Sequence, residues 1–149
     1  MNPNVWIDVP YIRFPCKGIC TGGRPRPHHI HQAQAGGIKS VINLCAPSER
    51  NDFDEGELVR TLGMRYRTIP VAGPPDLNLK NAQALADALE EAQDGPIFVH
   101  CASGNRVGAL FALKARFIDG LTIEQCLVAG RSAGLTSLES EVSFILAGL

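Results

Sequence analysis

The sequence predicts an α/β fold: a single domain with a central parallel sheet of about four or five strands flanked by helices. Three observations carry that expectation. Residues 97–99 are a short, continuous apolar run, the kind that a parallel sheet buries on both faces, and residues 40–44 read as a second buried strand. Segments with helical periodicity lie between and after them. Gly and Pro punctuate the junctions, as strand–helix alternation requires.

The elements follow in order. The N-terminal stretch through Thr21 reads as short extended pieces with turns, and residues 22–27, Gly-Gly-Arg-Pro-Arg-Pro, form a breaker cluster. Residues 28–35 fit a short helix with Pro27 at its start and Gly36 and Gly37 at its end. Residues 40–44 form a buried strand. Residues 54–62 read as a helix capped by Gly63, and residues 65–69 return to a strand. Residues 79–93 are amphipathic, with Leu85, Ala88, Leu89 and Ala92 on one face. Asp94, Gly95 and Pro96 stop that helix before the strand at 97–99. Residues 107–119 read as a buried helix ended by Gly120. Thr122 and Gln125 form a capping-box pattern opening another helix, and Thr136 to Glu139 repeats the pattern before a C-terminal helix.

Bulk composition narrows the function classes. The chain has 149 residues, 45% hydrophobic and 19% charged, which suits one domain over residues 1–149 with a full core. Its net charge of -1, from 14 Lys+Arg against 15 Asp+Glu, gives no basic footprint for nucleic acid or an anionic membrane surface. No apolar run approaches the roughly 20 residues of a membrane-spanning helix. The first eight residues lack a basic segment followed by a long apolar one, so no signal peptide is expected. Five cysteines, Cys16, Cys20, Cys45, Cys101 and Cys126, are an odd number in a chain of this size. A disulfide framework is therefore not expected, and a reducing cytoplasm is.

The chemistry concentrates in residues 97–106, Ile-Phe-Val-His-Cys-Ala-Ser-Gly-Asn-Arg. A strand ends in His100 and Cys101, a small polar loop follows, and a helix begins. A strand-to-helix loop gathers backbone N–H groups at one point, and the helix dipole adds positive potential there. Ala102, Ser103 and Gly104 allow close backbone approach to an anion, and Gly104 can take a positive φ. The N–H groups of Ala102, Ser103, Gly104, Asn105 and Arg106 form the expected oxyanion cradle. Arg106 offers a planar fork for two oxygens of a tetrahedral anion. Cys101 at that position is favoured as a thiolate nucleophile. The His100 ring is expected to point away from the anion and brace the loop. The plain alternative is a small buried cysteine at a strand end, with Arg106 as a first-turn surface residue.

These residues resemble the His-Cys-x-x-Gly-x-x-Arg signature of the protein tyrosine and dual-specificity phosphatases. Two departures stand out. Only four residues separate Cys101 from Arg106, one fewer than in that signature, and Val107 stands where a Ser or Thr usually follows the arginine. A cradle of this shorter length looks like the active loop of rhodanese-type sulfurtransferases, which carry a persulfide on the cysteine. Further blocks lie in order along the chain: residues 21–25, 41–44, 63–66, 69–71, 95–106 and 133–135. Together they resemble the bacterial beta-lactamase hydrolase-like phosphatase family, a domain of unknown function. The resemblance implies a dual-specificity phosphatase fold. It also implies a cysteine-dependent phosphatase that hydrolyses phosphomonoesters through a phosphocysteine, without cofactor or metal.

Related phosphatases protonate the leaving oxygen with an Asp on the loop after the strand preceding the nucleophile's strand. The matching segment here is residues 69–78, and Asp76 is its only acid. Asp76 is thus the candidate general acid; the competing reading has Asp76 or Asn78 capping the helix from Leu79. Three functions stay open: phosphatase, sulfurtransferase through a Cys101 persulfide, and a non-catalytic anion-binding module. The expected partner is a small anionic or phosphorylated substrate, and the oligomeric state is not legible.

Weaker signals surround this core. His28, His29 and His31 cluster at a helix start, where exposed first-turn histidines are expected over a metal site. Arg24 and Arg26 could line the pocket rim or lie in a solvated loop; residues 49–55 follow a strand end and could also face the site, but read first as a solvated loop. Arg131 could reach the rim from a later helix.

Overall fold

The structure, a computed structural model, describes residues 6–148. The first five residues, on which the leader reading partly rests, lie outside them. Five strands form one sheet: β1 (Arg13–Cys16), β2 (Ile19–Gly22), β3 (Ser40–Asn43), β4 (Arg65–Thr68) and β5 (Ile97–His100), in the spatial order β1-β2-β5-β3-β4. The four strands β2, β5, β3 and β4 run parallel. The edge strand β1 is antiparallel to β2, a departure from an all-parallel sheet. Its cause is local: only Lys17 and Gly18 separate the two strands, and Gly18 at φ +84° turns the chain straight back.

Six helices cover the faces: α1 (Pro27–Ala35), α2 (Glu55–Thr61), α3 (Leu79–Glu91), α4 (Asn105–Phe117), α5 (Ile123–Ala133) and α6 (Glu139–Ala147). Strand β5 is central, and all four of its residues are buried. Its side chains alternate between two cores, as the pleat requires. Ile97 and Val99 join Ile42, Leu85 and Leu110 on one face; Phe98 joins Ile30, Val41 and Val59 on the other. Each such fully buried side chain contributes roughly 1.5–3 kcal/mol. Cys101 continues the first face and His100 the second, with the His100 ring stacked 5.3 Å from Phe98.

Glycines set the packing of α4 against α5. A Cβ on Gly108 would lie 2.0 Å from the Leu135 backbone nitrogen, and one on Gly130 would lie 2.9 Å from the Gly108 carbonyl oxygen. The helices therefore meet backbone to backbone, which fixes the entry of α4 and the loop before it. Two helix starts differ from the sequence reading. Helix α4 begins at Asn105 rather than 107, because Gly104 takes the left-handed conformation at φ +85° and turns the chain into the helix there. The capping box at Thr122 forms reciprocally with Gln125, but the one at Thr136 does not. The Asn105 carboxamide oxygen instead accepts from the Thr136 and Leu138 N–H groups, and Glu139 pairs with Arg131. Among the described residues, no helix is long and apolar enough to cross a membrane.

The α4–α5 contact yields a stability prediction. Gly108→Ala forces a methyl group into backbone that cannot retreat, so unfolding free energy should fall by about 1–3 kcal/mol or more. Urea denaturation reads this directly; an unchanged midpoint would contradict the close approach.

Candidate active site

The loop from Cys101 to Asn105 sits at the carboxyl edge of the sheet, beyond the end of central β5, where sites in parallel α/β sheets form. It is pinned to β2 and the following segment: the Cys101 N–H donates to the Gly22 carbonyl at 3.3 Å, and the Arg24 N–H donates to the Ala102 carbonyl at 3.2 Å. The Gly104 N–H donates to Cys101 Sγ at 3.1 Å. The sulfur therefore lies against the N-terminus of α4, inside the positive end of the helix dipole. Among the described residues, nothing accepts from the N–H groups of Ala102, Ser103, Asn105 or Arg106. Ala102 and Ser103 are exposed, whereas Cys101 is fully buried beneath them. The Asn105 side chain faces away, donating to Ser137 Oγ at 2.7 Å while its oxygen holds the start of α6, so only its backbone serves the loop.

Arg106 is held from two sides. Its Nη1 and Nη2 donate to Glu49 at 2.7 and 2.8 Å, and Nη1 also donates to the Val71 carbonyl at 2.7 Å. Glu49 further accepts from Arg24 Nη2 at 3.0 Å and from the Ala46 N–H. Hydrogen bonding from Arg106 outweighs burial and holds the Glu49 carboxyl at about 2. Glu49 thus occupies the Arg106 fork.

On the opposite face His100 is wholly buried. Its Nε2 meets Glu55 Oε2 at 2.6 Å, and Nδ1 lies 3.3 Å from the Cys101 carbonyl oxygen. Burial alone would favour the neutral ring. The nearby Cys45 sulfur and the hydrogen-bonded Glu55 carboxylate oppose burial and push His100 up to about 9. The imidazolium is therefore the form held beneath the loop at neutral pH.

These contacts correct the solvated-loop reading at the two ends of residues 49–55, while Arg50, Asn51, Asp52 and Asp54 between them are exposed. Glu49 bridges two arginines, and Glu55 is buried against His100. Acidic residues beside polar ones carry no mark of burial in a sequence. The only available hint was that residues 49–55 follow β3, whose carboxyl end adjoins that of β5.

Asp76 lies in a short 3-10 turn, Pro74–Asp76, and its Oδ2 accepts from the Ala72 N–H at 2.8 Å. Asn78 caps α3, accepting from the Asn81 N–H at 2.9 Å. The segment nonetheless touches the site through the Val71 carbonyl on Arg106. The other candidates separate. Arg24 reaches the site through Glu49, while Arg26 pairs with Asp52 and Arg131 with Glu139, both at the surface. His29 is buried rather than exposed, because its Nδ1 accepts from the Arg26 N–H at 2.8 Å and closes the start of α1. Among the described residues, no group of His, Cys, Asp and Glu is placed to hold a metal. All five cysteines are free thiols, and burial pushes Cys20 up to about 12.

No family model matches the chain. A beta-lactamase hydrolase-like protein of Agrobacterium fabrum is 32% identical over 106 residues, covering 68% of this chain. The chain spans only 24% of that relative's length. Among solved structures, a Shewanella putrefaciens DUF442 protein, itself a candidate phosphatase, superimposes with TM-score 0.70 at 21% identity, over 95% of this chain and 94% of its own. The core catalytic domain of the PP-IP phosphatase SIW14 of S. cerevisiae, in complex with citrate, gives TM-score 0.66 at 18% identity, over 94% and 87%.

Two pH effects follow. His100 titrates higher folded than its ordinary 6.5, so its pairing stabilises the fold below about pH 6.5 and that contribution is lost as pH rises toward about 9. Glu49 titrates lower than its ordinary 4.5, so its contribution is present above that value and lost as pH falls toward about 2. Thermal unfolding across pH should show both limbs. Glu55→Gln should flatten the alkaline limb and Glu49→Gln the acid one; limbs unchanged in these variants would refute the pairings.

Proposed function

We propose that this chain, a relative of the beta-lactamase hydrolase-like proteins with the fold of the protein tyrosine phosphatase-like phosphatases, is a phosphatase that uses Cys101 as its nucleophile. The observation that carries the reading is the Cys101 sulfur receiving the Gly104 N–H at the mouth of α4, with Arg106 the second residue of that helix. A phosphomonoester enters with its equatorial oxygens toward the N–H groups of residues 102–106 and the Arg106 guanidinium. For the guanidinium to share its fork with phosphate, Glu49 must yield part of its two-pronged contact, keeping Arg106 aligned through Val71 and one remaining bond. Cys101 Sγ then bonds to phosphorus as the ester P–O bond breaks, giving a phosphocysteine. Asp76 donates a proton to the leaving oxygen. It then takes one from the water that attacks phosphorus, the P–S bond breaks, and inorganic phosphate leaves. Asp76 is the acid available on the segment that reaches Arg106 through Val71; its present bond to Ala72 must open for the role. The imidazolium of His100 acts from below, bracing the Cys101 carbonyl.

A second reading has its own support. The loop holds only four residues between Cys101 and Arg106, Val107 supplies no hydroxyl, and Asp76 is bonded to its own loop. Sulfur transfer needs no general acid. The Cys101 thiolate would attack the outer sulfur of thiosulfate, the S–S bond would break, sulfite would leave, and the Cys101 persulfide would pass its sulfur to a thiophilic acceptor such as cyanide.

One pair of assays separates them: phosphate release from para-nitrophenyl phosphate, and thiocyanate formation from thiosulfate and cyanide. The phosphatase reading expects phosphate release that falls on the order of 10³-fold or more in Cys101→Ser. It also expects a loss of about 10²-fold in Asp76→Asn for esters with poor leaving groups. Thiocyanate formation without phosphate release would replace it with the sulfur reading. Neither activity, with anion binding retained, would leave the binding module.

A further inference from the structure

One carboxylate fills a space built from two arginines. Glu49 Oε1 accepts from Arg106 Nη2 at 2.8 Å and from Arg24 Nη2 at 3.0 Å, so a single oxygen stands between the two guanidinium groups. Each arginine also has an anchor of its own. Arg106 Nη1 donates to the Val71 carbonyl at 2.7 Å, and Arg24 Nη1 donates to the Arg50 carbonyl at 2.6 Å. The Arg24 backbone N–H is tied to the Ala102 carbonyl of the cradle itself at 3.2 Å. The Ala46 N–H, just beyond β3, donates to Glu49 Oε2. Take the Glu49 side chain away, and two guanidiniums and one N–H still converge on the space its carboxylate fills. Two like charges so close repel each other unless an anion lies between them.

The space is open to a dissolved ligand. The Arg24 and Glu49 side chains are 31% and 24% exposed. Glu49 closes a short turn, its N–H donating to the Ala46 carbonyl at 3.0 Å across the exposed Pro47 and Ser48. It also lines a cavity of about 340 Å³ at the carboxyl ends of β3 and β4, which gives its side chain room to withdraw. Arg24, Arg26 and Arg50 line another cavity, of about 250 Å³, in which Asp52 is the one acid, so an arriving anion meets positive charge. A carboxylate already fits between the arginines, and a ligand's own carboxylate would make the same charge-assisted bonds there.

We propose that Arg24 and Arg106 clamp a carboxylate of the substrate, and that Glu49 fills this clamp until the substrate arrives. The phosphate lies against the N–H groups of residues 102–106, and the substrate's carboxylate takes the Nη2 side of Arg106 that faces Arg24. For such a substrate the bond that Glu49 keeps to Arg106 also passes to the ligand. The substrate class is a small phosphorylated carboxylic acid, its two anionic groups only a few bonds apart. The assignment rests on the phosphatase reading above. Arg24 is a specificity-determining residue, and Glu49 is a built-in competitor for its clamp.

The test measures binding without turnover. Calorimetry on Cys101→Ser protein compares 2- and 3-carboxyphenyl phosphate with the matching carbamoylphenyl phosphates, which keep the shape and lose the second charge. The carboxylate should bind on the order of 10-fold tighter at one of the two positions. Adding Arg24→Gln should erase that preference, because one arm of the clamp is gone. Adding Glu49→Gln should tighten carboxylate binding, again by roughly 10-fold, because a neutral amide competes poorly for the guanidiniums. A Glu49 that served only to align Arg106 would give the opposite sign, with both ligands bound more weakly. Equal affinity for the paired ligands at both positions overturns the proposal. So does a preference that survives Arg24→Gln, or carboxylate binding that fails to tighten in Glu49→Gln; each variant decides alone if the other does not fold. If the wild-type protein releases no phosphate while the preference stands, the phosphatase reading has failed and the clamp has not. Phosphate release without the preference is the reverse.

Discussion

The turn at Gly104 is the constraint on which the carboxyl edge of this protein depends. Its left-handed backbone starts α4, aims an N–H at the Cys101 sulfur and places Arg106 within the first helical turn. The turn itself is confined by neighbouring backbone. A Cβ on Gly134 would lie 2.6 Å from the Gly104 carbonyl oxygen, and Gly134 takes φ +121°. The end of α5 is tied in turn to β2, where the buried Thr21 hydroxyl donates to the Ala133 carbonyl at 2.8 Å. Close backbone contact thus runs from β2 through α5 to the loop. Side chains change rotamer readily, but backbone held this way gives the cradle a shape that needs no reorganisation when charge arrives.

Charge is arranged around that rigid turn in two layers. Below it, the His100–Glu55 pair is buried and braces the loop from the core side. Above it, Glu49 joins Arg24 and Arg106 at the partly exposed rim. A buried pair is costly to desolvate and even costlier to break, which suits a fixed support. A rim pair keeps access to water and can exchange one partner for another. The contrast matches the roles that the proposed anion site needs: a support that does not move, and an arginine whose carboxylate partner can give ground to an incoming oxyanion.

Phosphorus and sulfur chemistry make different demands on this frame. Both use the sulfur at the helix mouth and the surrounding N–H groups. Phosphoryl transfer also needs a full set of equatorial contacts and an acid for the leaving group. The four-residue spacing between Cys101 and Arg106 and the inward bond of Asp76 bear on those two needs alone. The two proposed reactions therefore differ in what they ask of the rim and of the segment through Val71 and Asp76 rather than of the cradle.

Residues 97–106 were legible because their order is their geometry: an apolar run must be buried, a small-residue loop must turn, and a helix must follow. Strand and helix alternation was legible for the same reason, since periodicity records which faces a segment hides. The antiparallel β1, the missing cap at Thr136 and the buried His29 were not, because each depends on a contact with one particular neighbour. Glu49 and Glu55 show the limit most clearly. They are 57 and 45 residues from their partners, Arg106 and His100, and a carboxylate reads alike in sequence whether water or a buried cation faces it. By itself the sequence determined the fold class, most of the strand and helix segments and the Cys101–Arg106 loop, all set by local pattern. Only the tertiary structure decided which charges hold that loop and what cavity lies beside it, because pairing across distant segments is fixed by packing and leaves no periodic trace.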